Sequence, residues 1–221
     1  LFGYGSGPSS LTNLVSSSGV VATDTTGVGT ARNSISAASY GTDKAIFGYG
    51  TTGSNVSMTN LVSNSGVVAT DVTGVGTARR ELAAASYGTD KVIFGYGYDG
   101  SSYVSMTNLA SNSGVVATDV TGVGTARRYI AAVKYGTDTA IFGYGDTGSK
   151  VSMTNLVSNV GVVATDTTGV GTARKGLAAA SYGSTGQAIF AYGRTGGGSA
   201  VSMSNLVSSS GVVASDVSGV G

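Results

Sequence analysis

Apolar residues run along this chain in short clusters, each closed by a glycine-bearing turn, and the clusters return in a fixed order. One full cycle reads "LAAASYG" (82–88), "KVIFGYG" (91–97), "YVSMTNLAS" (103–111) and "GVVATDV" (114–120), and "TGVGTARR" then leads into the next cycle. β-Branched and aromatic residues dominate these clusters, as strands prefer. No cluster keeps a helical period over several turns. The Ala-rich segment 82–88 is too short between its turns to stand as a helix. Each cycle therefore predicts four strands.

The cycle is a repeat. Phe2, Phe47, Phe94, Phe142 and Phe190 stand 45, 47, 48 and 48 residues apart. Asp24, Asp71, Asp119, Asp166 and Asp216 stand 47, 48, 47 and 50 apart. A supersecondary unit of this length must stack on its neighbours to bury its faces. Four strands per unit and five units predict an all-β chain, a five-bladed β-propeller of four-stranded antiparallel blades. The blades are expected at about 1–29, 30–76, 77–124, 125–171 and 172–221 of a single domain. The Ala-rich strand suits the crowded centre, and clusters apolar on both faces suit a blade held between two others. A β-solenoid is the alternative, although its coils are usually shorter.

The count is uneven. The second, third and fourth strands occur five times, but "TAR" followed by the Ala-rich strand occurs only four times. The chain opens on a second-strand phrase at Leu1, where an initiating Met would otherwise stand, and closes on "SGVG" (218–221). One blade is thus expected to lack its innermost strand. Such a strand beyond Gly221 would complete the blade of Phe2 and remove an open sheet edge.

The stretch 76–122 resembles a kelch repeat. An Arg-bearing turn precedes a small-residue strand, the second strand ends on Gly95 and Gly97, and a variable loop follows. The phrases "SMTNLVSNSGVVATDVTGVGTAR" and "DKAIFGYG" are similar to tandem repeats in structural or tail-associated proteins of marine bacteriophages. That resemblance implies a viral, virion or extracellular setting and a part in host recognition.

Composition narrows the chemistry. The formal net charge is +1, and there is no His, Cys or Trp. A near-neutral chain does not predict nucleic-acid binding, which needs a basic surface. No apolar run reaches the length of a membrane helix. Without His or Cys the usual general base, thiol nucleophile and transition-metal ligands are missing. The expectation is a protein that is not an enzyme and takes no cofactor or metal.

Comparing the repeats with one another locates the variable positions. The turn between strands three and four barely changes. The turn between strands two and three changes freely ("TTGSNV", "YDGSSYV", "DTGSKV", "RTGGGSAV"), as do the residues after "TAR". In antiparallel blades both variable segments emerge on one side of the disc. The expected ligand-binding set there is Arg80, Tyr98, Asp99, Tyr103, Arg128, Tyr129, Asp146, Lys150, Lys175 and Arg194; Tyr and Arg are common binding anchors. The expected partner is a cell-surface glycan or protein, or another virion protein. A virion component without a ligand and an engineered propeller scaffold are the alternatives.

Two further features read as structural. Asp24, Asp71, Asp119 and Asp166 each precede an Arg by eight residues (Arg32, Arg79, Arg127 and Arg174). The expected role is an ion pair within each such couple, with calcium binding as the alternative. In "FGYG", strand alternation predicts Phe47 and Tyr49 on one sheet face and Gly48 on the other.

Overall fold

The computed structural model describes residues 1–5 and 7–219. Ser6 of the first variable turn, and Val220 and Gly221 of the closing "SGVG", lie outside the described residues. The described chain is all-β, without helices. Its strands are β1 (Phe2–Gly3), β2 (Thr12–Asn13), β3 (Ser36–Tyr40), β4 (Lys44–Gly48), β5 (Thr59–Val62), β6 (Ala83–Tyr87) and β7 (Lys91–Gly95). They continue as β8 (Thr107–Ala110), β9 (Ala131–Tyr135), β10 (Thr139–Asp146), β11 (Lys150–Val157), β12 (Ala178–Tyr182), β13 (Gln187–Ala191) and β14 (Ser204–Val207).

These strands form five antiparallel sheets around a centre, a β-propeller-like arrangement. Four sheets have three strands, in the orders β3-β4-β5, β6-β7-β8, β11-β10-β9 and β12-β13-β14; the first sheet has only β1-β2. The Ala-rich strands β3, β6, β9 and β12 lie innermost, with β6 touching β3 and β9, and β9 touching β12. Above them, main-chain hydrogen bonds step around the centre from Glu81 N to Ser34 O, Tyr129 N to Glu81 O and Gly176 N to Tyr129 O, at 2.9–3.2 Å.

The fourth expected strand departs from regular pairing. Segment 114–120 and its counterparts pair with the third strand as isolated bridges, such as Thr107–Val120 and Ala110–Val116. The physical reason is an extra residue: three steps separate Thr107 from Ala110, but four separate Val116 from Val120, which breaks the ladder. Asn108 Nδ2 donates to Ala117 O at 3.0 Å within this irregular stretch. Asn13, Asn60, Asn155 and Asn205 do the same to Ala22, Ala69, Ala164 and Ala214. The sheets are therefore three-stranded with a stitched outer segment.

Neighbouring sheets nest through the "FGYG" phrase. A Cβ on Gly95 would sit 2.6 Å from Phe142 Cζ, and one on Gly143 would sit 2.8 Å from Phe190 Cζ. Glycine here is a condition of close approach. The expected side-chain alternation fails at the next residue. Tyr49 has φ 64°, and Tyr4, Tyr96, Tyr144 and Tyr192 share this left-handed conformation. The turn swings the ring to the side that Gly48 faces, so Phe47 and Tyr49 point to opposite sides. Phe47 meets Tyr4 of the preceding sheet, whereas Tyr49 meets Phe94 of the following one, with centroids 5.1 and 5.2 Å apart.

Candidate functional site

Between consecutive sheets lies one recurring polar joint, built around a fully buried arginine. Arg32, Arg79, Arg127 and Arg174 are all at 0% exposure. At Arg79, Nε donates to Tyr96 O at 2.9 Å, Nη2 to Asn108 Oδ1 at 2.7 Å and Nη1 to Thr77 O at 3.1 Å. Its guanidinium lies 4.4 Å from the ring centre of Tyr49 in the preceding sheet, a cation–π contact. Asp119 lies 3.9 Å from Arg79 Nη1 and accepts from Thr77 N, Thr77 Oγ1 and Asn108 Nδ2.

This corrects the expected ion pairs. Each arginine pairs with the aspartate that follows it in its own repeat, not with the one eight residues before it in the preceding repeat: Arg32 with Asp71, Arg79 with Asp119, Arg127 with Asp166 and Arg174 with Asp216, at 3.6–3.9 Å. The reason is topological. The "TAR" segment leaves the preceding sheet and opens its own, where the Asn of the third strand and the aspartate after it meet the arginine. Asp24 accordingly has no arginine among the described residues; its hydrogen bond comes from Asn13 Nδ2 at 2.8 Å. Burial alone would raise the pKa values of Asp71, Asp119, Asp166 and Asp216. Donors from Thr and Asn and the nearby arginine outweigh it and hold all four below the usual carboxylate range. Saturated with protein donors, these carboxylates are poor calcium ligands. No group of three or more His, Cys, Asp or Glu is placed to hold a metal among the described residues.

The variable segments meet on one side. Residues after "TAR" bridge to residues after "FGYG": Asn33 to Thr51, Arg80 to Tyr98, Arg128 to Asp146 and Lys175 to Arg194. On this face Tyr98 and Tyr103 pack edge to face, with centroids 5.8 Å apart. With Ser101, Ser102 and Ala126 they line an open groove of about 500 Å³. Arg80 lies 5.1 Å from the Tyr98 ring, and Arg128 lies 5.0–5.4 Å from the rings of Tyr98, Tyr103 and Tyr129. Glu81, absent from the expected set, ties both cations: Oε1 lies 3.4 Å from Arg80 Nε, and Oε2 accepts from Arg128 Nη1 at 2.9 Å.

A second cluster sits beside the first. Asp146, 4% exposed, accepts from Lys175 Nζ at 2.7 Å and Lys150 Nζ at 3.3 Å. Burial would raise its pKa, but these lysines and the Gly148 N–H outweigh that and push it down to about 2. Lys175 Nζ also lies 4.7 Å above the Tyr129 ring, which links the two clusters. Between them a central pit of about 200 Å³ is lined by Glu81, Leu82, Tyr129 and Ile130, among others. Asp99 stands apart from the chemistry, its carboxylate closing its own turn onto Ser101 and Ser102. Arg194 is exposed, and among the described residues it engages through its backbone bridges to Lys175 and Ala200.

Comparison with protein-family models and with curated proteins finds no match.

Proposed function

We propose that the protein is a five-bladed, kelch-like propeller acting as a non-enzymatic recognition module, its ligand a cell-surface saccharide held on the variable face. The observation that carries the reading is the Tyr98–Tyr103 pair beside Arg80 and Arg128 in an open groove rimmed by serine hydroxyls. Aromatic rings offer flat apolar surface to a sugar ring, and the surrounding hydroxyl, guanidinium and carboxylate groups meet its hydroxyls. Stacked rings and the Glu81 tie hold both arginines in place, so little order is lost on binding. Several such shallow sites on one surface would gain by multivalency. A virion or extracellular setting fits a module of this kind.

The test is a glycan array and a panel of candidate host cells probed with the purified protein and a Tyr98→Ala/Tyr103→Ala variant. Saccharide binding by the first and at least a tenfold loss in the second supports the reading. Equal binding by both moves the site off this groove. Cell binding that survives removal of surface glycans identifies a protein ligand instead.

A further inference from the structure

Four internal joints repeat one set of contacts, and the same set is missing in one place. Asp71, Asp119, Asp166 and Asp216 each hold a Thr hydroxyl and an arginine of their own repeat, whereas Asp24 and Asn13 hold only one another and Ala22 O among the described residues. The inner-strand tyrosines Tyr40, Tyr87 and Tyr135 pack on Gly114, Gly161 and Gly211 of the following sheets, where a Cβ would stand 2.8–3.1 Å from their rings. Gly66 has Leu14 beside it but no tyrosine, and a cavity of about 750 Å³ opens there, lined by Leu14, Val15, Lys44, Val62 and Ser63 among others. Finally, among the described residues β1 pairs with β2 alone, whereas β4, β7, β10 and β13 each pair on both edges.

One object satisfies all three. The segment Gly-Thr-Ala-Arg, two variable residues and a Leu-Ala-Ala-Ala-Ser-Tyr-Gly strand carries every missing group at the spacing found in 76–88. We infer that the edge formed by β1, Asn13 and Asp24 is a strand-accepting site whose ligand is a segment with the repeat's own inner-strand sequence. By the pattern of the other joints, its arginine donates to Tyr4 O and Asn13 Oδ1 beside Asp24. Its threonine caps Asp24, its alanines pair along β1, and its tyrosine enters the cavity at Gly66. Charge and shape both select this occupant. The Asp24 carboxylate, which has no arginine among the described residues, asks for a cation, the cavity asks for an aromatic ring, and main-chain addition to the strand edge supplies affinity. The site is separate from the variable face and stands whether or not that face binds a saccharide.

The experiment titrates the whole protein with a fluorescein-labelled peptide of sequence GTARRELAAASYG and reads fluorescence polarisation, with sedimentation velocity to give the stoichiometry. The expected result is saturable one-to-one binding and a higher thermal midpoint. Changing the peptide's first arginine to alanine, or making Asp24→Asn in the protein, should weaken binding by about tenfold or more. Asp24 is exposed, so the variant is expected to fold. Circular dichroism checks this, and the altered peptide keeps the test independent of it. No binding of the native peptide, or equal binding of the altered or a scrambled peptide, overturns the inference. So does a protein already dimeric with this edge covered by a second copy.

Discussion

The internal joints and the two terminal sheets are made of the same phrases and reach different ends. Phe94, Phe142 and Phe190 are at 0% exposure, and Phe2 is at 61%. Tyr49, Tyr96 and Tyr144 are at 0%, and Tyr192 is at 55%. Identical residue types are thus core or surface according to whether a neighbour stands beside them. No sheet here buries its own aromatic faces; each is finished by the next. The interface between repeats, rather than the repeat itself, is where folding free energy collects. Sequence marks the difference at one further point. Ala191 occupies the place of Gly48, Gly95 and Gly143, whose missing Cβ admits the next phenylalanine. A phenylalanine cannot seat on Ala191 as Phe142 seats on Gly95.

The sharpest way to break this comparison is to remove one buried arginine. Arg127→Ala strands Asn155 Oδ1 and Tyr144 O without their donor and takes the cation from beside Asp166. We expect it to cost roughly 3–5 kcal/mol, whereas Asp24→Asn should stay within about 0.5 kcal/mol. Urea unfolding followed by circular dichroism measures both, and equal shifts would deny the joint its special weight. A smaller effect is expected from crowding. Gly95→Ala drives a methyl into the Phe142 ring and should cost about 1–3 kcal/mol. Ala191→Gly, with no ring to admit, should cost only about 0.5–1 kcal/mol from lost chain stiffness. Comparable losses would mean that the glycines serve the turn rather than the packing.

Acid sharpens the comparison further. Asp71, Asp119, Asp166, Asp216 and Asp146 all titrate below their ordinary range when folded. Their contribution is therefore complete above the unfolded carboxylate pKa and is lost as pH falls through the folded values. Thermal midpoints should decline below about pH 4. Asp146→Asn should flatten the part of that decline reaching down to about pH 2. An unchanged profile would separate Asp146 from its two lysines. The smallest effect is spectroscopic. Burial pushes Tyr49, Tyr96 and Tyr144 up to about 12, only partly opposed by the arginines nearby. Unfolded tyrosines ionise first, so stability from these three is present below about pH 10 and lost as alkali approaches pH 12. Ultraviolet absorbance should show them ionising late and together with unfolding; early, reversible ionisation would place them in solvent.

The period, the three regular strands and the gathering of variable segments on one side were legible because each rests on a local pattern. The partner of each arginine was not. In a periodic chain, Asp71 precedes Arg79 by a fixed step and Asp119 follows it by another, and the sequence holds no measure of which is nearer in space. The left-handed Tyr49 was hidden because alternation assumes extended backbone, and only the flanking Gly48 and Gly50 hint at a break. The asparagine stitch left a signal that could have been read. Asn13, Asn60, Asn108, Asn155 and Asn205 hold one place in every repeat, in a strand position that asparagine ordinarily avoids. Glu81 was missed for the opposite reason. It occurs once, and only its place between Arg80 and Arg128 gives it a role.

Because each arginine joint takes its tyrosine ring from one repeat and its cation, asparagine and aspartate from the next, a gene that recombines with itself in phase restores the joint wherever the glycine that admits the next phenylalanine is kept. Repeat number can then rise or fall by unequal crossing-over without new sequence. The exposed turns, free of that grammar, can diverge one copy at a time.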